Sequence, residues 1–509
     1  MRRTRSAALA LLLASSFLLS GCFLAGGTPR SGTSEPTREE VAANLEEFYW
    51  QTLEWESCEG GNFQCATAKA PLDWDEPERD SIDLALIRST SSGEPTGSLL
   101  VNPGGPGGSG VNFVRDSVEY ATSDRLRASY DIVGFDPRGV GASSAVDCYD
   151  DPDELTDFLY ELSPNEPGTD AWIDDLERSN AEFGAAGLEH TGELLGYVDT
   201  VSAARDLDLL RAVLGDEKLN YLGYSYGTLL GATYAELYPR NTGRLVLDGA
   251  VDPATTDFEV TATQAQGFES ALRAFLADCL TGSECAFRGT VDQAMAEVAL
   301  IFDRLDRSPL RAVDGRMLGS SAMFTAIILP LYSQETWPYL STLFEDVRAG
   351  SAEVAFSLAD SYYSRDENGE FLDNSSEAFI AINCLDYMST STRETLQAEA
   401  AELATLAPVF GPQMSYGGTS CDEWPFPSTR ERTPIAAAGS GPILVVGTTN
   451  DPATPYKWAV SLAEQLENGH LVSYDGEGHT AYNKSNACVN DAVDGYFIDG
   501  TVPESDPQC

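Results

Sequence analysis

A serine between two glycines, a late aspartate and a late histidine stand at spacings that suit acyl transfer. The stretch Gly223-Tyr224-Ser225-Tyr226-Gly227 leaves Ser225 with a small residue one position beyond each flanking tyrosine, as a sharp strand-to-helix turn requires. The run "LNYLGY" before the serine is apolar, and "GTLLGATYAELYP" after it reads as a helix of small residues. A helix starting there points its positive end at the hydroxyl oxygen. A serine hydroxyl is a poor nucleophile until a base takes its proton. In sites of this kind acid and base follow in the order Ser, Asp, His. Asp451 closes "PILVVGTTND" and His479 closes "LVSYDGEGH". They are the expected orienting acid and base, with Asp475 a nearby competitor for the acid. His190 and His470 read as surface residues. A histidine base must be neutral to act, so activity is expected to fall on acidification.

Acyl transfer also needs donors aimed at the developing oxyanion. The run "NPGGPGGSG", residues 102–110, is dense in glycine and lets backbone approach a ligand closely. The amide of Tyr226 is one expected donor, and Gly105 or Gly104 the other. A phosphate-binding loop would end in Lys-Ser/Thr, which this run lacks.

Such residues need a scaffold whose strands end together. "IDLALIRS", "GSLLVNPGG", "YDIVGFDPRG", "LNYLGYS" and "RLVLDGA" read as strands. "DTVSAARDLDLLRAVLG" repeats apolar residues at helical spacing, with Thr200 in capping position and Gly215 closing it. Strand–helix alternation predicts an α/β fold with a mostly parallel sheet covered on both faces. From about residue 255 to 425 the pattern turns helical, and strands resume with "GPILVVGTTND". The expected organisation is a core over 41–255, a helical cap over 256–425 and the rest of the core over 426–509. Arg138, in "DPRG", is expected to brace its loop, and the acidic stretch "DCYDDPDELTD" reads as a solvated loop rather than a calcium site.

A chain of 509 residues with net charge −49 repels nucleic acid, which excludes that class of partner. Residues 1–21 read as a signal peptide: Arg2, Arg3 and Arg5 precede a short apolar run. Leu19-Ser20-Gly21-Cys22 resembles a bacterial lipobox, with Cys22 as the lipidated N-terminus and residues 22–40 as a flexible tether. Of ten cysteines, local spacing pairs Cys58 with Cys65, Cys279 with Cys285, Cys384 with Cys421 and Cys488 with Cys509. Cys148 is left over, as a buried thiol or in some other pairing. With three histidines and no CxxC pair, no metal site is expected, and no organic cofactor is implied.

"NPGGPGGSG", "FDPRGVGASS", "GYSYGTLLGATYA", "LDGAVDP", "DPATP" and "GEGH" together resemble the proline-iminopeptidase and tripeptidyl-aminopeptidase branch of the α/β-hydrolases. The likeness runs from about residue 45 to 509 and is nearest to secreted actinobacterial enzymes, mycobacterial lipoprotein hydrolases among them. Proline iminopeptidases usually carry His before the first two glycines of the loop; Pro103 stands here, as in the tripeptidyl group. The resemblance implies an α/β-hydrolase fold and a serine exopeptidase that releases short peptides, tripeptides first, from free N-termini. It also implies carboxylates for the substrate ammonium, for which Asp386 and Glu269 are candidates. The expected setting is the outer face of the cytoplasmic membrane. An esterase or lipase with the same triad and a non-catalytic peptide-binding lipoprotein are the rival readings.

Overall fold

The computed structural model describes residues 32–160, 162–283, 285–388, 391–428 and 430–509. The residues expected to form a signal peptide, and Cys22, lie outside them. The first strands are β1 (Gly32–Thr33), β2 (Glu54–Cys58), β3 (Phe63–Pro71) and β4 (Ser81–Ser89), followed by β5 (Ser98–Asn102), β6 (Asp131–Phe135), β7 (Leu219–Tyr224) and β8 (Thr242–Asp248). A small separate hairpin, β9 (Leu310–Arg311) with β10 (Met317–Leu318), precedes β11 (Ile443–Asn450) and β12 (Gly469–Glu477). The main sheet runs β1-β2-β3-β4-β6-β5-β7-β8-β11-β12. Pairing is antiparallel as far as β4 with β6 and parallel from β6 to β12.

Residue choice explains the division. Every residue of "SLLVN" in β5 is buried, as are "ILVVGT" in β11, whereas β3 alternates buried with open positions. Strands covered on both faces read as unbroken apolar runs, and strands with one wet face alternate. On one face of the sheet, Leu100, Tyr221 and Val445 pack under Leu207, Leu230 and Leu462 of three helices. On the other, Leu99, Leu222 and Val446 pack under Val114, Val489 and Val493. Consecutive strand residues thus serve opposite cores.

The order β6-β5-β7 makes a switch point: the chain leaves β5 in one direction along the sheet and β7 in the other. A crevice opens at the carboxyl ends of strands at such a point. The loops from Pro103 and from Ser225 both begin there.

Above that edge lies a separate apolar cluster with Phe275, Phe302 and Phe344, built by helices Asp257–Cys279, Val291–Arg307, Ser320–Leu331, Trp337–Ala349 and Glu353–Tyr362. The cap is not the single insertion over 256–425 that the sequence suggests. Helix Pro152–Tyr160, well before Ser225, joins it through Tyr160, and helix Asp170–Thr191 bridges cap and base, with Phe183 in the base cluster and Asp174 and Glu177 paired with Arg393. The Tyr160 ring packs against Phe356 and Tyr363, and Asn180 donates to Thr419 Oγ1 at 3.1 Å. Conversely, helix Ser375–Asp386 belongs to the base, with Ala378 and Ile382 in one cluster with Tyr226 and Leu229.

Two further expectations are corrected. From Gly32 on, the tether is docked: β1 pairs with β2, Thr37 N donates to Ala212 O, and Glu39 pairs with the buried Arg211 at 2.7 Å. A carboxylate answering a buried guanidinium holds the segment down. Helix Thr200–Leu214 is capped by Asp199, whose Oδ1 accepts from Val201 and Ser202 amides at 3.1 Å, while Gly215 ends it at φ +90. Thr200 is its first helical residue, and its hydroxyl is used elsewhere. The four disulfides are those that spacing suggested, and Cys148 is a buried free thiol.

Candidate active site

Ser225 links β7 to helix Tyr226–Leu237 with φ 55 and ψ −126, a conformation that a non-glycine residue holds only when its surroundings impose it. The flanking glycines permit this by absence of side chain. A Cβ on Gly223 would stand 2.3 Å from Gly227 O, and one on Gly227 would stand 2.7 Å from Asn102 Oδ1. The Ser225 amide donates to Asp248 O at 2.9 Å, which ties the turn to the end of β8.

Asp451 directly follows β11 and is buried. Its Oδ1 accepts from the amides of Ala453 and Thr454 at 3.0 and 2.8 Å, and its Oδ2 from the Thr480 amide at 3.1 Å. Thr454 Oγ1 donates to Oδ2 at 3.0 Å. His479 Nδ1 lies 2.9 and 3.0 Å from the two oxygens and 3.2 Å from Thr454 Oγ1. Bonding at Nδ1 fixes the ring's tautomer and leaves Nε2 as the acceptor. Asp475, the competitor, is exposed and accepts instead from Thr449 Oγ1 at 3.2 Å.

Two anchors hold the histidine loop. The His479 amide donates to Tyr332 O of the cap at 2.8 Å, and the Tyr332 ring packs at a tilt, its centroid 5.2 Å from that of the imidazole. The Asp248 carboxylate, fully buried, accepts from the amides of Ala481 and Tyr482. Burial pushes its pKa up, against the nearby Lys484. Asp248 thus fastens the serine turn by its carbonyl and the histidine loop by its side chain. A Cβ on the next residue, Gly249, would lie 3.3 Å from His479 Cε1. Ser225 and His479 line one cavity.

The glycine loop closes against the serine turn. Gly104, at φ +96, lies so near that a Cβ there would meet Tyr224 O at 2.5 Å and Ser225 Cβ at 2.9 Å. Its amide donates to Asn102 Oδ1 at 2.9 Å, so Gly104 is corrected from donor to spacer. Gly105 and Tyr226 line a second cavity with Ser225.

The two acids expected for a substrate ammonium are structural. Buried Glu269 accepts from the amides of Val409 and Phe410 at 3.0 and 3.3 Å, and burial raises its pKa. It joins a cap helix to the chain crossing it and lines neither cavity beside Ser225. Asp386 accepts the Thr200 amide at 2.9 Å and the Thr200 hydroxyl, which also meets the Tyr226 phenol. Burial pushes Asp386 up to about 6. It backs the wall behind Tyr226. The carboxylate that does line the cavity beside Ser225 is Asp257, the first residue of a cap helix. Asp257 is open to the cleft, where desolvation raises its pKa, opposed by Arg432. Glu399 borders the adjoining space and is raised by burial and by Asp257. No local pattern distinguished Asp257 from the chain's other acids; Thr454 and Asp248, by contrast, sit in the quoted "DPATP" and "LDGA".

Arg138 is buried, paired with Asp206 at 2.7 Å and donating to the carbonyls of Pro71, Leu72 and Tyr197, a brace as expected. His190 is exposed beside Asp147 and Asp150, with ligand atoms within 4.8 Å of one another. His470 opens β12, half-buried.

A parallel sheet with a strained serine turn at its switch point and an Asp–His pair on its last two strands defines an α/β-hydrolase. Residues 97–311 match the family model described as alpha/beta hydrolase fold, and residues 407–509 match the one described as TAP-like protein. Serine protease Hip1 of Mycobacterium tuberculosis is 36% identical over 90% of this chain and 91% of its own. Carboxylesterase B of the same organism is 35% identical over 96% and 94%. Tripeptidyl aminopeptidase of Streptomyces lividans is 29% identical over 90% and 86%. The chain belongs to the α/β-hydrolase family, in its TAP-like branch, and is a serine hydrolase.

Proposed function

We propose that the protein is an exopeptidase that releases short peptides, tripeptides first, from free N-termini. Ser225 Oγ attacks the scissile carbonyl while His479 Nε2 takes its proton and Asp451 orients the ring. The amides of Gly105 and Tyr226 receive the oxyanion. The C–N bond breaks as His479 returns the proton to the departing amine, and water, deprotonated by the same ring, releases the acyl group. The observation that carries this reading is the contact of His479 Nδ1 with both Asp451 oxygens, on a ring that shares a cavity with Ser225. Asp257 is the acid best placed for the substrate ammonium, since it lines the space beside Ser225 and Glu269 and Asp386 do not.

The names of the relatives support peptide hydrolysis, with one exception. Carboxylesterase B favours a second reading, ester hydrolysis by the same groups. Rates on a tripeptide anilide, its N-acetylated form and a short acyl ester separate the two. We expect the free peptide to be cut at least tenfold faster than the blocked one, on the worth of a charge-assisted contact. Equal rates on both peptides would refute the exopeptidase. The lipobox supports anchoring through Cys22 at the outer face of the cytoplasmic membrane. Cys22→Ser should then move the protein from the membrane fraction to the medium.

A further inference from the structure

Two cavities meet at Ser225, and they differ in charge. The smaller, of about 270 Å³, has Tyr226, Asp257 and Thr454 in its wall; the larger, of about 610 Å³, has His479, Tyr332 and Lys484. In acyl transfer the imidazole gives its proton to the leaving amine, so the leaving group lies where the ring is open. His479 lines the larger cavity and not the smaller. The acyl part of a substrate therefore extends toward Asp257, and the leaving part toward Lys484.

Lys484 is an unusual occupant. The chain carries −49 and has four lysines in all. The Lys484 ammonium donates to Thr480 Oγ1 and sits 4.4 Å from the Tyr120 ring centroid and 4.9 Å from that of Tyr224. Ring faces attract the cation without neutralising it. Among the described residues no carboxylate lies within 4.0 Å of this nitrogen. Asp248 feels its charge through space, but the Asp248 oxygens accept backbone amides. An ammonium has three donors, and Thr480 takes one.

Resting on the exopeptidase reading, we infer that Lys484 is a specificity-determining residue that binds a carboxylate of the leaving group. The cavity's size suits a few residues rather than a folded chain. The carboxylate comes from the C-terminus of a short peptide or from an acidic side chain just past the scissile bond. The favoured substrates are then oligopeptides with a charge at each end of the bound segment, ammonium toward Asp257 and carboxylate toward Lys484.

The test compares kcat/KM for three peptides sharing one free tripeptidyl segment, followed by Ala-Ala acid, Ala-Ala amide or Asp-Ala amide. Wild-type enzyme should prefer at least one carboxylate-bearing peptide over Ala-Ala amide by about tenfold. Which one is preferred identifies the source. In Lys484→Met the ratio should fall toward one, and in Lys484→Arg it should largely survive. No preference in the wild type overturns the inference without any variant having to fold. A preference that persists in a folded Lys484→Met overturns it as well. If a fluorophosphonate labels Ser225 and none of the three peptides is cut, the exopeptidase reading falls and takes this one with it.

Discussion

At the carboxyl edge of the sheet, Ser225, Asp451 and His479 each stand within two residues of a strand end. In the cap and the helix beneath it, the buried acids Glu269 and Glu377 and the half-buried Asp386 lie in helices and meet partners from distant chain segments. Glu269 serves Val409 and Phe410, Glu377 serves Cys148 and Tyr149, and Asp386 serves Thr200. At the edge, local chain geometry places a functional group. Under the cap, packing recruits carboxylates as backbone acceptors, so chemistry and structure use the same residue type. An acid near the cleft is evidence of function only when it lines the cavity, as Asp257 does.

The sharpest way to break this contrast is at the edge. Ser225→Ala, His479→Ala and Asp451→Asn should each lower kcat by roughly 10⁴-fold or more, Ser225→Ala with the melting temperature little changed, whereas Asp475→Asn should not. Steady-state rates beside thermal melts decide it; comparable losses from Asp475→Asn and Asp451→Asn would reassign the acid. Next in size is Gly104→Ala. Its Cβ would collide with Tyr224 O, and displacement of the loop bearing Gly105 should reduce kcat by on the order of 10²-fold. Normal turnover in that variant would remove the loop from the reaction.

The remaining tests probe the cap side. Burial pushes Glu377 up to about 7 from 4.5. A raised folded pKa means that the folded state holds the proton more tightly than the unfolded one. The stability it contributes is therefore complete below about 4.5 and lost as pH rises through about 7. Glu377→Gln keeps the acceptor for Cys148 and Tyr149 and should flatten that slope by on the order of 2 kcal/mol between pH 4.5 and 8. Urea melts at the two pH values measure it, and an unchanged slope would move the titrating group elsewhere. The smallest effect expected is in KM. Asp257→Asn should raise KM for free N-termini by about tenfold and spare blocked peptides. Glu269→Ala should leave KM alone but cost about 1–3 kcal/mol, by stranding two buried amides. The opposite pattern would return Glu269 to the substrate.

Much of the edge was legible because its signals are local. Gly223 and Gly227 are demanded by contacts within the turn and with the adjacent strand end, and the strand runs around "SLLVN" and "ILVVG" announce themselves by unbroken apolar character. Helix Thr200–Leu214 was readable from its periodicity and from Gly215, although its cap shifted to Asp199, a one-residue error that leaves Thr200 free to meet Asp386. Gly104 was read as a donor because a glycine run shows where backbone can approach, not which amide is already engaged. The early helices of the cap were missed because Pro152–Tyr160 and Asp170–Thr191 are polar on much of their surface, and what they cover is supplied by residues two hundred positions later.

By itself the sequence determined the α/β order, the strained serine turn, the disulfide pairs and the serine–acid–base succession, since each depends on neighbours along the chain or on spacing alone. Only tertiary structure decided which carboxylates are scaffolding, which amide of the glycine loop is engaged, and that Lys484 shares a cavity with His479. Those outcomes depend on which distant surface covers a side chain, and burial, unlike a turn, has no local code.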